Sequence, residues 1–153
     1  MDICMMAGGS RAHARVQINL CAFLRDALRG SGCRPFGSDM GLRTKELALR
    51  YPDLTVDCGA PGDEPFDQVL GNPVFVVEVL SSTIRDYDLR TKKDAYREIA
   101  SIRTIALVDP DEKTLSVSQR IDGGWIDTLF AAADLALPDL DVVVPYAEIF
   151  ATD

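Results

Sequence analysis

The sequence has few of the residues from which a structural zinc site is built. It has one histidine, and none of its four cysteines belongs to a C-x-x-C pair. Zinc fingers and zinc ribbons need such closely spaced ligands, so a structural zinc site is not expected. The cysteines are Cys4, Cys21, Cys33 and Cys58. We expect them to be four reduced thiols in a cytoplasmic protein.

The sequence also lacks a long apolar run. No stretch approaches the roughly 20 apolar residues that span a bilayer. The opening "MDICMMAGGS" has neither the basic nor the apolar region of a signal peptide. A chain of 153 residues, of which 47% are hydrophobic, has the size and composition of one soluble domain. We therefore expect a single domain over residues 1–153, outside the membrane.

Basic residues are in deficit, and one long stretch has none. The net charge is −8, and residues 51–84 contain six acidic residues and no lysine or arginine. By contrast, residues 1–50 contain eight basic and four acidic residues, and residues 85–103 contain six and four. The overall charge does not favour nonspecific binding to nucleic acid. The two basic blocks are either solvated helix faces or one local basic face.

The hydrophobic pattern predicts an α/β domain with a central mixed sheet flanked by helices. Helices are predicted at residues 10–29 and 86–100, with Ser10 as N-cap and Gly30 as stop. Strands are predicted at 3–6, 33–37, 39–43, 53–58, 73–80 and 103–108, followed by a hairpin around "DGG" and a short helical turn at "PYAEIF". Strand 73–80, helix 86–100 and strand 103–108 suit a right-handed parallel crossover.

A glutamate interrupts the apolar run of the predicted strand 73–80. Alternation places Glu78 on one face with Val74 and Val76. A buried carboxylate either raises its pKa or needs a cation. Asp53 would converge with Glu78 if the two predicted strands are neighbours. Two convergent carboxylates repel each other unless a divalent cation lies between them, and oxygen ligands favour Mg²⁺, Mn²⁺ or Ca²⁺.

A lysine on the following helix is the third candidate. Leu89, Tyr96 and Ile99 mark the apolar face of helix 86–100. Lys92 flanks that face on the side of the sheet edge, and Lys93 flanks it on the other side. Together with the two carboxylates, Lys92 would suit the stabilisation of charge on a phosphate under attack. From these residues alone, a structural ion-pair network is the simpler interpretation.

Three segments resemble the Uma-two family of restriction endonucleases, a bacterial branch of the PD-(D/E)XK nuclease superfamily. They are "YPDLTV", "VFVVEVLSSTIRDYDLRTKKDAY" and "RTIALVDPDEKTLSVSQR". The most specific part is the "EVLS" strand followed by D-x3-K-x3-Y, here Asp88, Lys92 and Tyr96. The N-terminal "MAGGSRAHARVQINL" and "FGSDMGLRT" are similar too, so the resemblance covers nearly the whole chain.

The resemblance implies a restriction endonuclease-like fold and a magnesium- or manganese-dependent phosphodiesterase that acts on DNA. By this analogy Asp53 and Glu78 are metal ligands, the backbone carbonyl of Val79 is a further ligand, and Lys92 orients or activates the attacking water. The chain departs from the superfamily pattern at Leu80, where the pattern has its lysine, and Lys92 takes that place. Family members also carry a longer N-terminal segment, so the chain is expected to be shortened there.

Two functions therefore stand as hypotheses. One is a metal-dependent endonuclease, for which a homodimer would suit cleavage of both strands. The other is a catalytically silent binding or scaffold domain with the same fold. We expect His13 to have a surface or capping role, with a place at the edge of the site as the alternative. We expect Ser38 and Asp39 to form a turn or cap, with support of the site residues as the alternative, and Trp125 to pack in the hairpin.

Overall fold

The computed structural model describes residues 10–45, 48–59, 68–81 and 86–152. Its helices are α1 (Arg11–Ala27), α2 (Asp86–Arg97) and α3 (Tyr146–Ile149), with one 3-10 turn at Pro138–Leu140. Its strands are β1 (Arg34–Phe36), β2 (Leu42–Arg43), β3 (Leu49–Arg50), β4 (Leu54–Asp57), β5 (Pro73–Val79), β6 (Thr104–Asp109), β7 (Thr114–Ile121), β8 (Gly124–Phe130), β9 (Leu135–Leu137) and β10 (Val142–Val144). Within these ranges no helix is long and apolar enough to cross a membrane.

The central sheet has six strands in the order β1-β4-β5-β6-β7-β8. β5 and β6 are parallel and joined through α2, and all other neighbours in this sheet are antiparallel. The predicted mixed sheet, the parallel pair and the β7–β8 hairpin are confirmed. β2–β3 and β9–β10 form two small additional sheets. The strand predicted at residues 3–6 lies outside the described residues.

Helix α1 begins where the sequence predicts. The hydroxyl of Ser10 accepts a hydrogen bond of 3.1 Å from the backbone N–H of His13, so Ser10 is the N-cap. Its buried residues Val16, Leu20 and Leu24 follow the three- and four-residue spacing of one helix face. That face packs on the sheet and forms the larger hydrophobic core. The helix ends at Ala27, two residues before the predicted end.

Strand β5 lies between the two cores because it is apolar on both faces. Phe75 and Val77 belong to the core under α1, whereas Val76 packs with Tyr96 of α2 in the second core. Side chains alternate along a strand, so Glu78 shares the face of Val76 and is directed toward α2. The apolar run of β5 therefore carries its glutamate to the junction between the sheet and α2.

The expectation of four reduced cysteines is wrong. Cys33 and Cys58 form a disulfide, while Cys21 is a free thiol and Cys4 lies outside the described residues. In the antiparallel pairing of β1 and β4, Arg34 lies opposite Asp57. The next pair outward is Cys33 and Cys58, so the sheet register brings together two cysteines that are 25 residues apart. The expected cytoplasmic location was based on reduced thiols, so it is no longer supported by them and stays a proposal.

Candidate functional site

The two candidate carboxylates lie at adjacent strand ends. β4 and β5 are antiparallel neighbours, and Leu54 pairs with Val77. Continuing this register by one residue places Asp53 opposite Glu78, at the spacing of cross-strand neighbours. Asp53 lies one residue before β4, so the strand predicted at 53–58 begins slightly later. The structure thus brings together the two acids that the sequence singled out.

Asp53 is held by contacts from two directions. The backbone N–H of Val79 donates to Oδ2 of Asp53 at 2.7 Å. Nε2 of His13 lies 3.4 Å from the same oxygen, and the amide of Gln17 donates to the backbone carbonyl of Asp53 at 2.7 Å. His13 and Gln17 are four residues apart on α1, so one helix face supplies both contacts. Among the described residues, Oδ1 of Asp53 has no partner and is available for a ligand.

Glu78 is buried, with 3% of its surface exposed. The hydroxyl of Tyr96 donates to its Oε1 at 2.6 Å, and Nζ of Lys92 lies 3.5 Å from its Oε2. Burial raises the pKa of Glu78 above its usual value. The charge of Lys92 and the hydrogen bond from Tyr96 oppose this shift, and the charge of Asp53 adds to it. Ionisation of Glu78 therefore costs free energy unless a second cation, besides Lys92, lies next to it.

The two adjacent lysines of α2 have different partners. Lys92 faces Glu78, whereas Nζ of Lys93 lies 3.7 Å from Asp127 on β8. Arg97 also pairs with Asp127, at 2.6 Å. The helical pattern predicts this arrangement, because it places one lysine on each side of the apolar face of the helix. Only Lys92 is thereby placed beside the carboxylates.

The C-terminal end of α2 is fixed to the hairpin by an arginine. Arg120 on β7 donates to the carbonyls of Arg97 and Ile99 at 3.1 Å each, and to that of Ile102 at 2.8 Å. Its guanidinium lies 4.4 Å from the centre of the Trp125 ring. The carbonyl of Arg97 is the last of α2, and a donor to it stabilises the helix end, while the other two bonds hold the segment that follows. Trp125 has the packing role predicted for it, and its contact with Arg120 helps to fix the helix that carries Lys92.

The geometry fits an oxygen-ligated divalent cation better than zinc. Oδ1 of Asp53 accepts none of the hydrogen bonds described above, and Oε2 of Glu78 has the long contact with Nζ of Lys92, at 3.5 Å. The carbonyl of Val79 projects to the same side of the strand as its N–H, toward Asp53. Within the described ranges, no three His, Cys, Asp or Glu side chains are grouped to hold a metal ion. A cation here would therefore have two carboxylates, the Val79 carbonyl and water as ligands, as Mg²⁺ or Mn²⁺ commonly does.

Asp53 has two neighbours on α1 in addition to the candidates Glu78, Val79 and Lys92. The side chain of His13 is 13% exposed and lies against Asp53, a placement that agrees with the alternative beside the candidate site rather than with a surface role. Gln17 was not singled out, and its only signal in the sequence is its spacing of four residues from His13. Ser38 and Asp39 are exposed and lie in a turn, as predicted. The three acidic residues of the loop 59–72, which are Asp63, Glu64 and Asp67, lie outside the described residues.

Comparisons with known proteins agree with this fold. Residues 2–145 match the Uma2 family, described as "Putative restriction endonuclease". A solved structure from Anabaena variabilis, described as a putative nuclease belonging to DUF820, superposes with a TM-score of 0.75 at 16% identity, covering 95% of this chain and 83% of that one. At that identity the likeness shows the fold, which matches the predicted restriction endonuclease-like core.

Two uncharacterised proteins from Synechocystis are similar in sequence. One is 28% identical over 135 residues, which cover 87% of this chain and 70% of that protein. The other is 31% identical over 110 residues, which cover 71% of this chain and 62% of that protein. The family match includes Asp53, Glu78 and Lys92, and it extends over most of the 153 residues. The chain therefore belongs to the Uma2 family of restriction endonuclease-like proteins.

Proposed function

We propose that this protein is a metal-dependent endonuclease that hydrolyses phosphodiester bonds in DNA. The observation that carries the proposal is the placement of Asp53 opposite Glu78, with Lys92 3.5 Å from the Glu78 carboxylate. Membership of the Uma2 family supports the nuclease class. The DNA substrate, the Mg²⁺ or Mn²⁺ requirement and the residue roles are part of the proposal.

Each residue of the site has a distinct role in this proposal. Asp53 and Glu78 hold the divalent cation, with the carbonyl of Val79 as a further ligand. When bound, the cation supplies Lewis-acid polarisation of the phosphate and lowers the pKa of bound water. Lys92 is a hydrogen-bond donor and a fixed positive charge, so it orients the attacking water and stabilises negative charge on the phosphate. In the hydrolysis, the water oxygen bonds to phosphorus, one P–O ester bond breaks, and a proton reaches the leaving oxygen.

The contacts around Asp53 and Glu78 are suited to holding the two carboxylates in fixed orientations. Asp53 is fixed by Val79 and His13 through one oxygen, whereas Glu78 is held by Tyr96 through Oε1 and by Lys92 through Oε2. These contacts restrict the rotation of both carboxylates, and they leave Oδ1 of Asp53 for a ligand. A homodimer, which would place one site on each DNA strand, is a further part of the proposal.

Nicking of supercoiled plasmid in Mn²⁺ or Mg²⁺ tests the proposal, with purified wild type, Lys92→Ala and Lys93→Ala. Lys92→Ala should lose about a hundredfold or more in rate, the scale of removing one preorganised electrostatic donor. Lys93→Ala is the matched control, because Lys93 pairs with Asp127 rather than with the carboxylates. Equal losses in both variants would refute the role of Lys92. Absence of metal-dependent cleavage by the wild type on any DNA would favour the silent-domain alternative.

A further inference from the structure

We propose that an open cavity beside Asp53 is a binding groove for the sugar–phosphate backbone of DNA, with Arg11 and Arg15 as the phosphate-binding residues. This rests on the proposed function, since it names where the substrate strand lies beside the proposed catalytic site. The cavity has a volume of about 760 Å³ and lies between the first half of α1 and the C-terminal segment. Asp53 lines it, so the cavity adjoins the candidate site at that residue.

Hydrogen bonds from two side chains of α1 hold the walls of this cavity. The side-chain amide of Gln17 donates to the carbonyl of Asp53 at 2.7 Å, which attaches α1 to the start of β4. The amide of Asn19 donates to the carbonyls of Ile149 and Ala151 at 3.1 and 3.0 Å, which attaches α1 to the C-terminal segment. The cavity is therefore a defined feature of the fold, since hydrogen bonds hold both of its sides against the same helix.

The charges that line the cavity identify the ligand class. Arg11 and Arg15 are four residues apart, so they lie on one face of α1, where two like charges destabilise a helix. Neither forms an ion pair with a carboxylate of the described residues. Two neighbouring unpaired arginines are unexpected in a chain with 24 acidic and 16 basic residues. Guanidinium groups bind phosphate oxygens in paired hydrogen bonds, so this arrangement is suited to phosphates.

The shape and position of the cavity favour a polymer over a free phosphate. Its volume is far larger than one phosphate needs, and Ile18, 64% exposed, adds an apolar surface beside the two arginines. A sugar–phosphate strand has both apolar and anionic parts. The groove leads to Asp53, so a strand bound along α1 would bring the next phosphate to the carboxylates. Contacts of this kind fix the position of DNA without reading its sequence.

Fluorescence anisotropy of a labelled duplex, titrated with salt in EDTA, tests the groove apart from cleavage. For the Arg11→Gln/Arg15→Gln double variant, the slope of log K against log salt should fall in magnitude by about 1.8, or about 0.9 per lost phosphate contact. Arg25→Gln is the matched control, because Arg25 is exposed on the same helix but lies outside the cavity. Its slope should fall by much less.

A second pair of variants adds charge instead of removing it. A Cβ at Gly37, which lines the cavity, or at Gly71, which does not, meets no atom within 4 Å, and neither glycine has a positive φ. Gly37→Asp should therefore weaken duplex binding severalfold without unfolding the protein, and Gly71→Asp should not. Inorganic phosphate at the same ionic strength should compete weakly if the polymer is the ligand, and a shorter oligonucleotide should compete better.

The outcomes separate this inference from the proposed function. Normal plasmid nicking with the same salt slope in the double variant and the wild type would overturn the groove and leave the nuclease intact. Duplex binding that depends on Arg11 and Arg15 without cleavage by the wild type would support the groove and refute hydrolysis. Equal weakening by Arg25→Gln and by the double variant would also overturn the groove, because the effect would then come from net charge. A wild-type protein that binds no duplex would overturn the groove as well.

Discussion

The hydroxyl of Tyr96 donates a hydrogen bond of 2.6 Å to Oε1 of Glu78, and both groups are buried. The tyrosine lies four residues after Lys92 on α2, so one helix face supplies both contacts to this carboxylate. Burial and the neighbouring carboxylate raise the pKa of Tyr96, so the phenol stays protonated and acts as a donor. The ionised form of Glu78 is thereby oriented by a neutral group.

Replacing Tyr96 by phenylalanine should lower the free energy of unfolding by about 1.5–3 kcal/mol, the scale of a hydrogen bond to a charged group. The ring keeps its packing, so the loss reports the hydroxyl. Urea denaturation above neutral pH measures it. In a Glu78→Gln background the loss should shrink toward the value of a neutral hydrogen bond, about 0.5–1.5 kcal/mol. The same loss in both backgrounds would show that the Glu78 charge is not involved.

The stability of the protein should depend on pH through Glu78. Its pKa in the folded state is raised from 4.5 by burial, so its contribution to stability is fully present below that value and is lost as pH rises through the folded pKa. Glu78→Gln keeps the shape and an oxygen acceptor for Tyr96 but does not titrate. The variant should therefore gain stability relative to wild type as pH rises from about 4 to 8. A difference that stays constant over this range would contradict the raised pKa.

Mg²⁺ or Mn²⁺ should stabilise the wild type against heat in a concentration-dependent way, because the cation relieves the repulsion between Asp53 and Glu78. At a hundred times the dissociation constant the gain is about 2.7 kcal/mol. Thermal melts with and without metal measure it. Glu78→Gln should lose the response, whereas Glu148→Gln, at an exposed glutamate in α3, should keep it. Identical shifts in all three proteins would exclude Glu78 as a ligand.

The Cys33–Cys58 disulfide should contribute about 2–4 kcal/mol to the free energy of unfolding, since it closes a loop of 25 residues in the unfolded chain. The Cys33→Ser/Cys58→Ser variant should show this loss in urea under oxidising conditions. A reducing agent should destabilise the wild type by the same amount and leave the double variant unchanged. A wild type insensitive to reductant in the unfolding assay would show that the bond does not form in solution.

Local pattern was sufficient to predict much of the fold. The helix face of Val16, Leu20 and Leu24, the apolar run of β5 and the β7–β8 hairpin all depend on residues close together in the chain. The same reasoning placed Glu78 on one face of the strand with Val74 and Val76, and it separated Lys92 from Lys93. Helix ends were predicted less well. α2 ends at Arg97 rather than at residue 100.

The tertiary structure alone decided how the site is held. Oδ2 of Asp53 accepts from Val79 because β4 and β5 pair in one register, and a shift by one residue would turn Asp53 away. His13 reaches Asp53 only because the core docks α1 on the sheet. The disulfide likewise needs the β1–β4 pairing. Periodicity reports which face of an element is buried, but it carries no information on which distant element covers that face, because packing between distant parts of the chain determines the contact.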